Sequence, residues 1–419
     1  MRAEMFKRNV NWASIPTVDA LLFYGVLLYL LTQVLDGPIR YGLSLLGLEG
    51  LLYLRDVILI AVIGVAIQTA LLNMKANRAY IYVFLVLLFF TLIGLIYIPN
   101  VLQVLFGIKI LFPFIAGLIW YGQFVRRLDD VYKYFSVFLW VACIGVLVNL
   151  EVVYPWLGLT YRMGGIQIEG GLDEITVGFA RLTGFARSNF EAASQILLLG
   201  IFVVRFIKGR FAKFLSWLII GAAIIVTTTK GIIVIYAVMS LFYISFFLFR
   251  NKFRLFQKSL ILPMGVMIGF PLFIDRLDID YSDPIDVGLW ASLNDRLINA
   301  WPPIFQHVKE QGDILFGLGV GGAGSGEYYF SNVGYGTVDN FFVYLYAWFG
   351  LSSLLLYAWI YIRNLKLDIN RSKLDFFIYS FLVCAMLYGS TSAILESPVF
   401  ALFLGVALRH LATSLHGRA

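Results

Sequence analysis

The amino-acid sequence predicts an all-α, polytopic membrane protein with about twelve transmembrane helices. Of its 419 residues, 60% are hydrophobic and 14% are charged, whereas a soluble domain is nearer half apolar and a quarter charged. The mean hydropathy is +0.85. Apolar runs long enough to cross about 30 Å of hydrocarbon recur along the chain. This composition excludes a soluble enzyme, a disordered protein and a nucleic-acid-binding protein.

The predicted spans belong to a single integral membrane domain over residues 1–419. They are 19–35, 56–73, 79–98, 101–123, 134–154, 189–207, 212–230, 231–249, 259–275, 338–362, 374–392 and 397–411. The long run 212–249 is divided at Lys230-Gly231, its charge-plus-glycine break. The charged segment 39–54 is predicted to be a loop on the membrane interface. No cleavage-site pattern follows the first span, so we expect that span to remain as an anchor.

The positive residues predict the orientation, because cytoplasmic loops are enriched in Lys and Arg. With both termini inside, 22 of the 32 positive residues fall on the inner side. Every inner loop is then basic, which supports this orientation. The ten remaining residues are Arg40, Arg55, Lys109, Arg162, Arg181, Arg187, Lys230, Arg276, Arg296 and Lys309.

Two long loops, about 155–188 and 276–337, fall on the outer, periplasmic side. Loops of this length are usually functional or disordered. Both carry Trp, Tyr, Leu and Ile among their glycines and charges, which is not a disordered composition. We therefore expect folded caps on the outer face. No internal repeat is evident, so an inverted-repeat transporter receives no direct support.

No metal or cofactor site is predicted. Cys143 and Cys384 both lie in apolar runs, and three scattered histidines do not form a metal-ligand pattern. The run 275–286 holds five aspartates, including the pair Asp278 and Asp280. Carboxylates suit Mg²⁺ or Ca²⁺, but an acidic solvated loop is the favoured interpretation.

The end of the first loop, 181–193, carries Arg181 and Arg187 just before a span, where Ser188 or Asn189 can cap the helix. Two guanidiniums beside a helix N-terminus suit a phosphate or pyrophosphate. The alternative is that these arginines pair with acids of the same loop: Glu169, Asp173 and Glu174.

Two lysines lie at unusual depths. Lys230 lies in the run TTTKG at the outer end of a predicted span, where a lysine can simply extend to the interface. Lys109 lies about eight residues into another span, and an ionisable group there is a functional-site hypothesis. An ion pair with Glu151 is the alternative for Lys109.

The second loop carries Arg296 and a glycine-rich run. The spacing from Trp301 to Phe305 predicts a short amphipathic helix lying on the membrane, with Arg296 at its start. The run LFGLGVGGAGSG, 315–326, contains GxGxxG twice but lacks the flanking strand of a dinucleotide fold. Its glycines permit close backbone approach, with amides free to face an anion. Plain loop flexibility is the favoured alternative.

Asp339 and Asn340 stand at the start of the span after that loop. Asp and Asn are ordinary helix N-caps. The functional alternative is a carboxylate at the water–lipid boundary, facing a cavity supplied by Arg181, Arg187, Lys230 and Arg296, where it would act as a general base.

Four segments in order resemble the O-antigen polymerase/ligase family of bacterial envelope proteins. They are RLTGFARSN before an apolar helix, TTTKG at an outer helix end, the stretch from Arg296 through Trp301 to LFGLGVGG, and VDNFFVYLYAWFGL. The resemblance covers roughly 180–410. In two places the sequence departs from the family: Lys230 stands where the family often has Arg, and Asp339 where ligase members carry His. Asp at this position resembles the polymerase side of the family.

The resemblance implies a membrane-embedded glycosyltransferase of the C type that uses an undecaprenyl pyrophosphate-linked oligosaccharide and no cofactor. Asp339 would take or orient the proton of the attacking hydroxyl. Arg187, Arg296 and Lys230, with Arg181 in support, would stabilise the leaving pyrophosphate. Asn340 and Lys109 are further candidates for pyrophosphate binding. Membrane lipid and a chain-length regulator protein are the other expected partners.

Two alternatives remain open. A ligase would perform the same chemistry on a different acceptor, lipid A–core. A secondary transporter or flippase is the alternative from another class, and would show charged residues near mid-membrane and paired broken helices.

Overall fold

The computed structural model describes residues 16–72, 78–163, 166–169, 175–176, 179–249, 253–273, 282, 284–331, 338–370 and 372–413. Within these ranges the chain is predominantly helical. The helices are α1 (Pro16–Val34), α2 (Asp36–Leu45), α3 (Leu54–Leu72), α4 (Arg78–Tyr97), α5 (Val101–Arg126), α6 (Leu128–Val148), α7 (Asn189–Phe206), α8 (Arg210–Val226), α9 (Lys230–Leu248), α10 (Phe253–Ser259), α11 (Ile261–Phe273), α12 (Pro284–Asp295), α13 (Trp301–Gln311), α14 (Ser325–Phe330), α15 (Phe341–Phe349), α16 (Ser353–Asn364), α17 (Lys373–Gly389) and α18 (Pro398–Thr413).

Six helical stretches in the described ranges are long and apolar enough to cross a membrane, or seven if a bent pair is one span. The six are Glu49–Gln68, Val101–Arg126, Leu128–Val148, Asn189–Phe206, Arg254–Leu272 and Phe341–Asn364. Each of the twelve predicted spans overlaps a helix, so the helical membrane class is confirmed. The count of twelve and the orientation stay predictions.

Short strands depart from the all-α prediction. In the first long loop, β1 (Thr160–Met163) pairs antiparallel with β2 (Ile166–Glu169), with Thr160 opposite Glu169. A second hairpin joins β3 (Ile175–Thr176) to β4 (Phe179–Ala180). The described part of this loop therefore contains two short hairpins.

The chain divides into two compact units. Unit 1 comprises residues 1–86 and 112–233, and unit 2 comprises residues 87–111 and 234–419. The core of unit 1 is aromatic: Phe202 of α7 lies 5.6 Å from Phe124 and 5.1 Å from Phe135, measured between ring centroids. These three side chains are fully buried. Edge-to-face and offset rings of this kind add to the burial energy.

A sharp bend follows α1. The axes of α1 and α2 differ by 80°, and the break falls at Leu35. The interfacial loop predicted for 39–54 is instead the helix α2 followed by a 3₁₀ turn, Glu49–Tyr53. Gly37 lets the bend pack tightly, because a Cβ there would lie 2.5 Å from the indole nitrogen of Trp156.

In unit 2 the glycine-rich run packs tightly as non-helical backbone. Gly317, Gly319, Gly321 and Gly324 have φ of 74°, 85°, 94° and 90°, a region that other residues rarely adopt. The amides of Leu318, Gly319 and Val320 donate to the carbonyls of Ala347, Trp348 and Phe90 at 2.8, 3.1 and 3.0 Å. The prediction of close approach is confirmed, whereas the expectations of anion-facing amides and of a flexible loop are wrong for these residues.

The amphipathic helix predicted after Arg296 is α13, but its apolar face does not lie on the membrane. Trp301, Ile304 and Val308 share one face and are 0% exposed within the protein itself. Phe305 of α13 lies 5.1 Å from Tyr346 of α15. The buried face therefore packs against protein, and the expectation of a membrane-surface helix is wrong.

Candidate functional site

The predicted site residues fall into both units. Arg181, Arg187 and Lys230 belong to unit 1, whereas Lys109, Arg296, Asp339 and Asn340 belong to unit 2. Each unit therefore contributes its own candidate site.

In unit 1, the start of α7 is tied to the turn that precedes α9. Ser188 is the N-cap of α7, because its hydroxyl accepts a hydrogen bond from the Glu191 amide at 3.2 Å. The buried amide group of Asn189 donates to the Thr229 hydroxyl at 3.1 Å and to the Thr227 carbonyl at 3.3 Å. The structure thus joins two segments, RLTGFARSN and TTTKG, that the sequence analysis singled out separately.

The turn itself is strained. Thr228 has φ of 56°, the one positive value among non-glycine residues of the described ranges. For a β-branched residue this is an outlier costing of order 1–3 kcal/mol, and such strain clusters at functional sites. Lys230 follows immediately, exposed at the first position of α9.

Arg187 lies in a group of buried and half-buried charges. Glu191, in the first turn of α7, is acted on electrostatically by Asp36, Arg187, Arg40 and Arg55. Arg181 stacks its guanidinium over the Phe190 ring at 5.6 Å. The alternative partners Glu169, Asp173 and Glu174 have side chains outside the described residues.

The sequence analysis missed the centre of this group. Asp36, 3% exposed, accepts from Arg40 Nε at 2.8 Å and from Arg55 Nη1 at 3.0 Å. We define the arginine cluster as Asp36, Arg40, Arg55, Arg187 and Glu191. The available signal was the presence of Arg40 and Arg55 in an apolar segment on the predicted outer side. The sequence does not show that these two arginines share a partner, because Asp36 comes within reach of both only through the α1–α2 bend.

In unit 2, Arg296 and Asp339 form an ion pair across 43 residues of sequence. Arg296 Nη2 and Nε donate to Asp339 Oδ2 at 3.0 and 3.3 Å, and Nη1 donates to the Ser292 hydroxyl at 2.7 Å. Neither bond to Asp339 uses Oδ1. The two side chains are 23% and 35% exposed, so the pair is reachable from outside the unit. Arg296 opens a π-helical turn, Arg296–Ala300, a feature frequent at functional sites.

Asn340, rather than Asp339, caps α15. Its Oδ1 accepts from the amides of Phe342 and Val343 at 2.8 and 3.1 Å, and its Nδ2 donates to the carbonyls of Met267 and Ser390 at 3.0 and 3.1 Å. This uses the full capacity of an amide side chain, and the residue is 0% exposed. The prediction that Asn340 binds pyrophosphate is therefore wrong.

A second carboxylate, absent from the sequence-based prediction, lies near Asp339. Glu396 accepts from the Ser325 amide at 2.6 Å and from its hydroxyl at 2.7 Å. It lies between α17 and α18, in the turn that bears Ser390. The ring of Tyr344 lies beside the same segment. A Cβ on Gly324, the residue before Ser325, would lie 2.5 Å from that ring. The sequence marks Glu396 only as a single glutamate between two apolar runs.

Burial raises the pKa of Glu396 above its usual value near 4.5; the Ser325 hydrogen bonds oppose this rise and the Asp339 charge adds to it. Between the usual and the raised pKa, the unfolded chain loses a proton that the folded protein keeps. Stability therefore falls as the pH rises through that window.

Glu396→Gln removes this titration and can keep both contacts with Ser325. We expect the melting temperature of the variant to increase relative to that of the wild type as the pH rises from 4.5 towards neutral. Thermal unfolding of the detergent-solubilised protein across this range measures it. Parallel curves for the two proteins would show that Glu396 does not titrate differently on folding.

Lys109 and the aspartates of 275–286 are the remaining candidates. Lys109 lies half-buried in α5, with Nζ 5.5 Å from the centre of the Phe106 ring. The aspartates at 275, 278, 280 and 283, and the side chain of Asp286, lie outside the described residues. The described part of the chain contains no group of three or more metal-ligating side chains.

Fold and composition together define a helical protein with membrane-spanning segments. Comparison with protein-family models, with curated proteins and with solved structures gives no match.

Proposed function

We propose that the protein is a glycosyltransferase that polymerises lipid-linked polysaccharide repeat units, such as those of O-antigen, capsule or exopolysaccharide. The observation that carries the proposal is the Arg296–Asp339 ion pair. The resemblance to the polymerase/ligase family marked both residues through separate motifs, and in the structure they meet at a partly exposed edge of unit 2.

In the proposed reaction, a sugar hydroxyl of one lipid-linked repeat unit attacks the anomeric carbon of the growing chain on another carrier. A new glycosidic C–O bond forms, and the bond to the undecaprenyl pyrophosphate breaks with its electron pair. Asp339 Oδ1, which neither Arg296 bond uses, takes the hydroxyl proton. Arg296 holds the carboxylate in place through Oδ2 and adds positive charge near the leaving group.

The family resemblance assigns the arginines of unit 1 to the pyrophosphate. Arg187 lies two residues before Asn189, and the hydrogen bonds of Asn189 hold Lys230 near the start of α7. Arg181 supports them. Cations held by folded protein stabilise developing charge without reorganisation, so the proposal needs no cofactor.

A ligase is the alternative within the same chemistry. Such an enzyme would move the finished chain to lipid A–core. Asp339 in place of the histidine of ligases favours the polymerase.

A transporter or flippase is the alternative from another class, and one observation favours it. A transporter is expected to have broken helices near buried charge. Unit 1 has the 80° break beside buried Asp36 and Arg40, and unit 2 has a helix interrupted at Gly350. The break at Gly350 counts against a transporter, because it is apolar and its backbone packs on the glycine-rich run.

Deletion of the gene in the native bacterium separates the three functions. For a polymerase we expect surface glycan of a single repeat unit on electrophoretic gels. A ligase would leave lipid-linked polymer with none transferred to core. A flippase would leave lipid-linked single repeats and no surface glycan. Either of the last two patterns would overturn the proposal. We place the protein in the inner membrane with its active site at the periplasmic face and with a chain-length regulator as partner.

A further inference from the structure

The guanidinium of Arg296 is held from two sides. Its Nε and Nη2 donate to Asp339 Oδ2 at 3.3 and 3.0 Å. Its Nη1 donates to the Ser292 hydroxyl at 2.7 Å and to the Ser292 carbonyl at 3.3 Å. An arginine side chain has five N–H donors. These bonds therefore leave one donor, the second N–H of Nη2, for a substrate.

The contact between Arg296 and Asp339 differs from the common one. Arginine and a carboxylate frequently form two parallel hydrogen bonds, one to each oxygen. Here both bonds end on Oδ2, so Oδ1 receives none from Arg296. The two side chains are 23% and 35% exposed, and surrounding atoms do not enclose the guanidinium. A restraint is therefore needed to keep it from turning onto both oxygens.

Ser292 supplies that restraint. It lies in the last turn of α12, four residues before Arg296 opens the π-helical turn, and residues at this spacing share a helix face. Its hydroxyl makes the shortest of the bonds to the guanidinium, at 2.7 Å. Because the guanidinium is a rigid plane, a turn that brings Nη2 onto Oδ1 moves Nη1 away from the hydroxyl. The Ser292 bond therefore opposes that turn.

We propose that Ser292 is a positioning residue of the transfer reaction: by holding Nη1 it keeps Arg296 on Oδ2 and leaves Oδ1 of Asp339 open to the attacking sugar hydroxyl. The assignment rests on the proposed function and extends it, since it names the residue that sets the orientation of the ion pair. Without the Ser292 hydroxyl, Arg296 settles on both carboxylate oxygens. The sugar hydroxyl must then displace a charge-assisted hydrogen bond before its proton reaches Oδ1.

Ser292→Ala tests the proposal in the polymerisation assay, with purified protein and a lipid-linked repeat unit. The position is exposed and helical, where alanine favours the helix. We expect kcat to fall about tenfold, the effect of one hydrogen bond to a charged group, with KM within about two-fold of wild type. An unchanged kcat, or a rise in KM alone, would overturn the proposal.

Two variants of nearly equal shape isolate the hydroxyl. Ser292→Thr keeps it and should retain the wild-type kcat within about two-fold, whereas Ser292→Val lacks it and should be as slow as Ser292→Ala. Asn299→Ala is the matched control. Asn299 is exposed and donates to Asp295 Oδ1 at 2.7 Å, so this variant loses a bond of the same spacing that does not touch the ion pair. Its kcat should stay within about two-fold of wild type. Equal rates for Ser292→Thr and Ser292→Val would contradict a role for the hydroxyl.

A second measurement does not depend on polymerisation. A water-soluble carbodiimide activates carboxyl groups for coupling to glycinamide, and mass spectrometry of the full-length protein gives the coupling rate at Asp339. We expect this rate to be about tenfold lower in Ser292→Ala and Ser292→Val than in wild type and Ser292→Thr, because Arg296 then occupies Oδ1. Asp295, whose Oδ1 is bonded by Asn299, is the internal reference and should couple at one rate throughout. Equal rates at Asp339 in all four proteins would overturn the proposal.

Coupling and polymerisation fail independently in these experiments. If Ser292→Ala slows coupling at Asp339 but the deletion strain shows no single-repeat glycan, the polymerase function fails and the hold of Ser292 on the ion pair stands. If the strain shows that glycan but coupling and kcat are unchanged in Ser292→Ala, the positioning role of Ser292 fails alone.

Discussion

Replacing Asp339 with Asn is expected to reduce polymerisation by about 10²–10⁴-fold, the usual contribution of a general base. Asn keeps the size and shape of Asp but has no charge to accept the proton. The helix start should survive, because Asn340 supplies the cap. The measurement is polymer formed from a lipid-linked repeat unit by the purified protein, at matched protein level.

A charge swap separates a catalytic role from a structural ion pair. The double variant Arg296→Asp with Asp339→Arg restores opposite charges at the same two positions. We expect it to recover the thermal stability lost by either single variant but not the activity. Recovery of polymerisation would show that the pair only holds α15 to the π-helical turn. Asp339→Glu, which keeps a carboxylate, should retain more activity than Asp339→Asn.

Replacing Arg187 with Lys is expected to lower polymerisation by about 10²–10³-fold, as for loss of one donor that stabilises transition-state charge. Lysine keeps the positive charge beside Glu191, so the electrostatic balance of the arginine cluster is preserved. It lacks the planar fork that binds two phosphate oxygens at once. The same lipid-linked assay measures this loss.

Arg210→Lys is the matched control for Arg187→Lys. Arg210 is exposed at the first residue of α8, on the predicted inner side, and its replacement should leave the rate within about two-fold of wild type. Equal rates for the two variants would remove Arg187 from the pyrophosphate site.

Much of the helical framework follows from hydrophobic run length. Every predicted span overlaps a helix because an apolar segment in lipid must satisfy its backbone hydrogen bonds within itself. The short hairpins of 160–180 were not predicted, since two- to four-residue strands produce little periodic signal. The sequence predicted that Ser188 or Asn189 caps α7. In the structure Ser188 is the cap, and Asn189 binds Thr227 and Thr229 instead.

The candidate site was predictable one segment at a time. Arg296 and Asp339 were each indicated by a local pattern, but no local pattern predicts a salt bridge across 43 residues. Glu396 was missed because its importance comes from Ser325, 71 residues earlier in the chain. Asn340 was assigned wrongly because the sequence does not show that its amide is already fully bonded.

The sequence by itself determined the membrane class, the helical segments and the short list of charged residues that apolar surroundings make costly. Those properties depend on transfer of side chains and backbone from water, which each segment experiences separately. The tertiary structure decided which charges are paired and which amides are occupied. Those properties depend on distances of a few ångströms between residues far apart in sequence, and only packing sets such distances.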